Sequence, residues 1–252
     1  MGAKRRVGRW ALVIAGLGFL TAPAVQAGEI TLSAAASLKE ALNEIADVYL
    51  PRHPGVSVRH NFGASGVLAQ QIDHGLEADI FISAHPQWLD FLHAQNLVDA
   101  SGATILAYNE LVVVGPPVKE LKKFQDLAAW GPIAVGSPRS VPAGEYAQAA
   151  FKNAGILPSV EKKWILSKDV RAALQYAERG DVDAALVYRT DARLSPRVRV
   201  LLVVPAELYG RVSYPMALTV RGAKNSDAVE FYAFLQAAEA QSILAKYGFV
   251  LP

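Results

Sequence analysis

Cysteine is absent from the 252-residue chain, which rules out a disulfide framework, a thiolate metal site and a lipid-modified N-terminal cysteine. Long apolar runs are nearly as scarce. The one near the N-terminus, from Trp10 to about Leu20, falls short of the roughly 20 residues that cross a bilayer, and it follows the basic cluster Lys4, Arg5, Arg6 and Arg9. It ends in Thr21-Ala22-Pro23-Ala24-Val25-Gln26-Ala27, which sets small residues Val25 and Ala27 at the −3 and −1 positions of a cleavage site. This order of charge, apolar stretch and small residues predicts a secretory signal peptide over residues 1–27, leaving a soluble periplasmic protein after cleavage. An excess of one charge sign is missing too. The leader carries four basic residues and no acidic one, so its removal takes the net charge from +2 to −2. A basic nucleic-acid-binding surface is therefore not expected.

The signatures of chemistry are also missing. The nucleophile turn G-x-S-x-G of hydrolases does not occur; the nearest approach is Gly63-Ala64-Ser65-Gly66. Five histidines, His53, His60, His74, His85 and His93, lie in the first half of the chain, and none forms a metal-ligand motif with carboxylate support. They read as surface or strand residues, and a secreted hydrolase is the remote alternative. Tyr146, Tyr176 and Tyr188 are not adjacent as the paired tyrosines of a ferric-ion site would be, and Tyr176 reads as helix packing. Trp88, Phe91 and Trp164 read as core or lobe surface rather than a cofactor box. Internal repeats, low-complexity stretches and Ser/Gly/Pro linkers are absent.

What is there is an alternation of short β-type runs with helical patterns, which points to α/β layers. Glu29–Ser33 reads as a strand, and Leu38, Leu42, Ile45 and Tyr49 then recur at helical spacing up to Pro51. Val56, Val58, His60 and Phe62 alternate as a strand, a helix runs from Ser65 to His74, Asp79–Ser83 is a short buried strand, and Pro86 opens another helix. A second unit begins at Leu111–Val114. It continues with strand Ile133–Val135, helix Ala143–Asn153, strand Trp164–Leu166, helix Val170–Arg179 stopped by Gly180, and strands Ala184–Tyr188 and Val200–Val203. Tyr214–Thr219 follows as a strand, and Phe231–Tyr247 as a final helical region. Without a linker, two lobes must be joined through strands, with crossings at Tyr108–Leu111 and Gly210–Tyr214.

Several strand-to-helix junctions share one character. Ser37-Leu38-Lys39-Glu40 matches a capping box, Ser65 opens a helix, Ser140-Val141-Pro142-Ala143-Gly144 sets a proline at a helix entry, and Asp169 precedes Val170-Arg171. Helix N-termini carry unsatisfied N–H groups and a positive dipole end, and together these can hold an anion. Each Ser or Asp is equally an ordinary N-cap, and spacing alone does not bring the four junctions together.

The words themselves are more specific. Ala34-Ala35-Ala36-Ser37-Leu38, Asn61-Phe62-Gly63-Ala64-Ser65-Gly66, Ala78-Asp79-Ile80-Phe81-Ile82-Ser83-Ala84 and Val141-Pro142-Ala143-Gly144-Glu145-Tyr146-Ala147 occur in order. They are followed by Asp169-Val170-Arg171-Ala172-Ala173-Leu174, Val187-Tyr188-Arg189-Thr190-Asp191-Ala192, Tyr214-Pro215-Met216 and Tyr247-Gly248-Phe249. Across essentially the whole exported chain this series resembles the molybdate-binding proteins of ABC-type molybdate transporters. The resemblance implies a two-lobed type II periplasmic binding protein fold, α/β with mixed sheets and helices on both faces. It implies lobe I over residues 28–108 plus 214–252, lobe II over residues 109–213, and a ligand cleft between them. Carried over position by position, the ligand residues fall on Ser37, Ser65, Ala143, Val170 and Tyr188, with hydroxyls from the first two and the last and backbone N–H groups from the others. This sequence departs from the family at Ala64, Gly66 and Val67, where further hydroxyls are often found.

The same resemblance implies a monomer that binds molybdate, and tungstate with it, without catalysis, cofactor or bare metal cation, and hands the ion to a membrane permease. A pocket built only of donors suits an unprotonated dianion and penalises phosphate, whose own proton needs an acceptor. Sulfate differs only in size, so a sulfate or other tetrahedral-oxyanion carrier on the same fold is the alternative.

Overall fold

The structure, a computed structural model, describes residue 2, residues 28–99 and residues 102–252. The expected signal peptide and its cleavage site, apart from Gly2, lie outside the described residues.

Strand β1 (Gly28–Ala35) runs through a 3-10 turn (Ala36–Leu38) into helix α1 (Lys39–Tyr49). Strand β2 (Val56–Gly63), helix α2 (Ser65–Asp73), strand β3 (Ile80–Ile82), helix α3 (Pro86–Ala94) and strand β4 (Thr104–Asn109) follow. The chain continues with β5 (Leu111–Gly115), β6 (Ile133–Gly136), α4 (Pro142–Asn153), α5 (Leu157–Val160), β7 (Trp164–Ser167) and α6 (Val170–Arg179). Next come β8 (Ala184–Tyr188), the short α7 (Arg189–Arg193) and β9 (Arg199–Val203), and finally β10 (Val212–Leu218), α8 (Ser226–Leu235) and α9 (Ala238–Lys246).

The strands form two five-stranded sheets of the same design, ordered β2-β1-β3-β10-β4 and β7-β6-β8-β5-β9. In each, three parallel strands are extended on one side by two more joined through antiparallel pairings, so that only β10 and β5 run against the other four strands of their sheets. Only Glu110 separates β4 of the first sheet from β5 of the second, and the return to β10 runs through residues 204–211. These are the α/β layers that the alternating pattern predicts, in the two-lobed arrangement that the resemblance implies.

The patterning explains the layers. Parallel strands covered on both faces bury both sets of alternating side chains, and in β1 Thr31 and Ser33 are as buried as Ile30, Leu32 and Ala34. On α1 the apolar stripe Leu42, Ile45 and Tyr49 is almost wholly buried, and each such side chain contributes about 1.5–3 kcal/mol by leaving water. Gly180, at φ 76°, takes the left-handed conformation that ends α6 where the sequence places the stop.

Two elements differ from expectation. Thr104–Asn109 is a full strand, although its apolar pattern is too short to separate from a loop by periodicity. The C-terminal helical region is broken at Gln236 and Ala237, because the buried stripe Ala228, Phe231, Tyr232 and Leu235 resumes out of phase at Ala240, Ile243 and Leu244. One continuous helix could not present both stripes to the same core.

Candidate functional site

The carboxyl ends of all six parallel strands meet around one cavity, the place where open α/β sheets hold their ligands. Ala36 and Ser37 follow β1, Ala64 and Ser65 follow β2, and Ala84 follows β3. From the other sheet, Pro142 and Ala143 follow β6, Asp169 and Val170 follow β7, and Tyr188 ends β8. The cavity therefore collects all five residues singled out in the sequence: Ser37, Ser65, Ala143, Val170 and Tyr188. Even with its open mouth counted in, the space comes to only about 210 Å³. Its size suits a small ion rather than a sugar or peptide.

The cavity wall offers neutral donors: the Ser37, Ser65 and Tyr188 hydroxyls and the first-turn N–H groups of α4 and α6. No Lys, Arg or His lines it, and the one carboxylate, Asp169, is turned to its own helix, where Oδ1 accepts the Ala172 N–H at 2.8 Å. Asp169 is thus the N-cap of α6 that the sequence suggests. Among the described residues, no acceptor within the protein takes the N–H of Ala143 or of Val170, which sit in the first turns of α4 and α6. The hydroxyl of Tyr188, in a residue only 1% exposed, has no hydrogen-bond partner. Burial pushes that phenol well above its ordinary pKa, so it keeps its proton and remains a donor. Ser65 Oγ accepts the Ala84 N–H at 3.0 Å, which leaves its own proton free. An orphaned buried hydroxyl is costly unless something fills the site.

The capping box expected at Ser37-Leu38-Lys39-Glu40 does not form. Ser37 sits inside the 3-10 turn, and its hydroxyl pairs instead with the Tyr214 hydroxyl at 2.9 Å. Glu40 is drawn away to the guanidinium of Arg171, which reaches it from α6. Arg171 also places its Nε 2.7 Å from Oδ1 of Asp191. Burial lifts the Asp191 carboxyl to about 6 even with this cation beside it.

Several contacts join the two halves around the cavity. The Gly66 N–H donates to the Ser140 carbonyl at 3.0 Å. A Cβ at Gly66 would stand 2.5 Å from Trp88 Cζ2 and 2.7 Å from the Ser140 oxygen, so glycine permits the approach. Arg171 spans from α6 to Glu40 and to the Ser37 carbonyl. Trp88 Nε1 donates to Glu145 Oε1 at 2.9 Å, and Gln87 donates to the other carboxylate oxygen. Trp88, read from sequence as core or lobe surface, is thus a bridging residue. Burial raises the Glu145 carboxyl to about 7 against the pull of these two donors. Burial also lowers the pKa of His85, whose imidazole packs 4.8 Å from the Tyr146 ring. The sequence gives no sign of Asn109, Tyr214, Trp88 and Glu145 as partners, because they meet across separations of 57 to 177 residues. Among the described residues, no group of three or more His, Cys, Asp or Glu is placed to hold a metal ion, and no helix is long and apolar enough to cross a membrane.

Comparison with known proteins agrees with this geometry. Residues 30–250 match the family described as bacterial extracellular solute-binding protein. The chain is 35% identical over 247 residues to the molybdate-binding protein ModA of Haemophilus influenzae, with 95% of each chain covered. It is also 35% identical over 255 residues to ModA of Escherichia coli K12, covering 96% of this chain and 98% of that one. The solved periplasmic molybdate-binding protein of Azotobacter vinelandii superposes with a TM-score of 0.78 over 88% of this chain and 99% of the other; at 21% identity it establishes the fold alone.

Proposed function

The chain belongs to the bacterial extracellular solute-binding proteins, in the molybdate-binding ModA group, and from that premise we propose that it captures molybdate as the free oxyanion in the cavity between its two sheets. The observation that carries this reading is the donor set. The N-terminal turns of α2, α4 and α6, the Ser37 turn and the orphaned Tyr188 hydroxyl all face one small space without a cation. Ser37, Ser65 and Tyr188 donate O–H groups to the anion, and Ala143 and Val170 donate N–H groups. Charge-assisted bonds from neutral donors and helix dipole ends offset the cost of burying a dianion. Because all contacts are donors, tungstate binds alongside molybdate, and phosphate is disfavoured by its own proton.

The lobes are assigned to residues 28–108 with 214–252 and to residues 109–213, hinged where the strands cross. They close on the ion, and the contacts of Gly66, Arg171 and Glu145 hold the closed form. In this reading the leader is cleaved near Ala27, the mature monomer works in the periplasm, and it delivers the ion to the permease of an ABC transporter.

Calorimetric titration of residues 28–252 with molybdate, tungstate, sulfate and phosphate tests the reading. Tight one-to-one binding of molybdate and tungstate, weak sulfate and no phosphate are expected. Sulfate as tight as molybdate would change the substrate and keep the mechanism. No heat with any oxyanion would return Ser37 and Ser65 to purely structural roles.

A further inference from the structure

Ser37 is held by a chain of side chains that leads away from the cavity into the strands joining the two sheets. Its Oγ lies 2.9 Å from the hydroxyl of Tyr214 on β10, and among the described residues this is its only partner within the protein. Tyr214 is fully buried and sits at a register shift between β10 and β4 that falls between Tyr214 and Pro215. Such bulges re-aim a side chain. Asn109, the last residue of β4, donates from Nδ2 to the Tyr214 hydroxyl at 3.2 Å and to Thr190 Oγ1 at 2.8 Å.

The direction of this chain is fixed at its far end. The backbone N–H of Glu110 can only donate, and it meets Asn109 Oδ1 at 2.9 Å. The amide nitrogen of Asn109 therefore faces Thr190 and Tyr214, and it too can only donate. Tyr214 accepts that bond and has one proton to give. Burial pushes its pKa far above the ordinary range, so the proton is always present. The one acceptor beside it is Ser37 Oγ; if Ser37 donated instead, the phenol proton would be left buried and unpaired. Ser37 consequently accepts from Tyr214, and its own proton has no acceptor except a ligand in the cavity. Bonds aligned head to tail in this way polarise one another.

We propose that Asn109 and Tyr214 are positioning residues of the oxyanion site, which orient Ser37 with its proton toward the ligand and so disfavour tetrahedral anions that bring a proton of their own. The inference rests on the oxyanion reading above. It extends that reading from the groups that touch the ion to the buried pair that sets the polarity of one of them. Thr190 ties the pair to α7, so the chain is anchored in both sheets.

A double-variant cycle read by calorimetry with molybdate tests it. Tyr214→Phe is expected to weaken binding about 3- to 10-fold when Ser37 is present, and less than about twofold in a Ser37→Ala background. Equal losses in both backgrounds would show a merely structural role and overturn the proposal. A second variant keeps the Tyr214 ring. In Asn109→Asp the carboxylate accepts from Tyr214, which frees the phenol oxygen to accept from Ser37 and reverses the chain. At pH 8 molybdate and hydrogenphosphate are both dianions, so the added charge repels them alike. Phosphate is expected to displace molybdate from Asn109→Asp at concentrations that leave the wild type untouched. Phosphate failing to displace it from either protein also overturns the inference. A wild type that binds no oxyanion sinks the parent reading, whereas wild-type binding with additive losses sinks the relay alone.

Discussion

Replacing Tyr188 by Phe separates a ligand contact from a structural one by the sign of two effects. The hydroxyl is buried without a partner while the ring packs in the core, 6.1 Å from the Tyr214 ring in an edge-on arrangement. Phe keeps the ring and removes an unsatisfied polar group, and relieving such a group yields about 1 kcal/mol. For a domain of this size that corresponds to a ligand-free Tm raised by about 2–4 °C. With the anion bound, the variant lacks one hydrogen bond to a charged partner, worth about 1.5–3 kcal/mol, or a molybdate Kd larger by about 10- to 150-fold. Thermal unfolding with and without molybdate, together with calorimetric titration, reads both quantities on one sample. The reasoning fails if ligand-free stability falls while affinity is unchanged, since the hydroxyl would then be serving the fold.

Three further outcomes follow from the same geometry. Ser37→Ala is expected to weaken molybdate binding by about 1.5–3 kcal/mol, and unchanged affinity in titration would remove Ser37 from the site. Gly66→Ala places a methyl against Trp88 of its own half and, when the halves are together, against the Ser140 backbone of the other. It should cost about 1–3 kcal/mol of affinity, and full affinity in titration would contradict this. Glu145 gives a pH dependence. Its carboxyl is raised to about 7 by burial and is 12% exposed, so between about pH 4.5 and 7 the folded chain holds a proton that the unfolded chain has lost. The contribution of Glu145 to stability is therefore greatest at the acid end of this window and declines by about 3 kcal/mol as pH rises through it. In urea unfolding across that range, Glu145→Gln should flatten the decline, and an unaltered slope would refute the assignment.

The local grammar of this chain is legible because its signals are local. Pro86 and Pro142 at helix entries, Gly180 after α6 and the alternation of β2 each depend on a few neighbouring residues, and the elements lie where those residues put them. The candidate site is half legible for the same reason. Ser65, Ala143 and Val170 announce helix starts, but nothing in their spacing brings the ends of six strands to one point; sheet order does that. Ser37 is deceptive when taken with its neighbours alone. Ser-x-x-Glu is a valid capping pattern, yet Tyr214 and Arg171, distant in sequence, offered its two side chains other partners. Thr104–Asn109, six residues of mixed polarity, carries too little periodicity to mark a strand by itself, and its pairing with β10 is what makes it one.

The neutrality of the cavity wall also governs how quickly the protein can fill. Arg171, beside the cavity residue Val170, is occupied by Glu40 and Asp191, and no Lys, Arg or His lines the cavity, so the site itself presents no free cation to draw an anion from a distance. Sites that draw in anions by long-range attraction lose speed steeply as salt shortens the Debye length from about 10 Å at 0.1 M to about 3 Å at 1 M. Here there is little such attraction to lose. On the proposed reading, association is set by diffusion and by the closing of the lobes, so the oxyanion is expected to be taken up at nearly the same rate in dilute and in salt-rich surroundings.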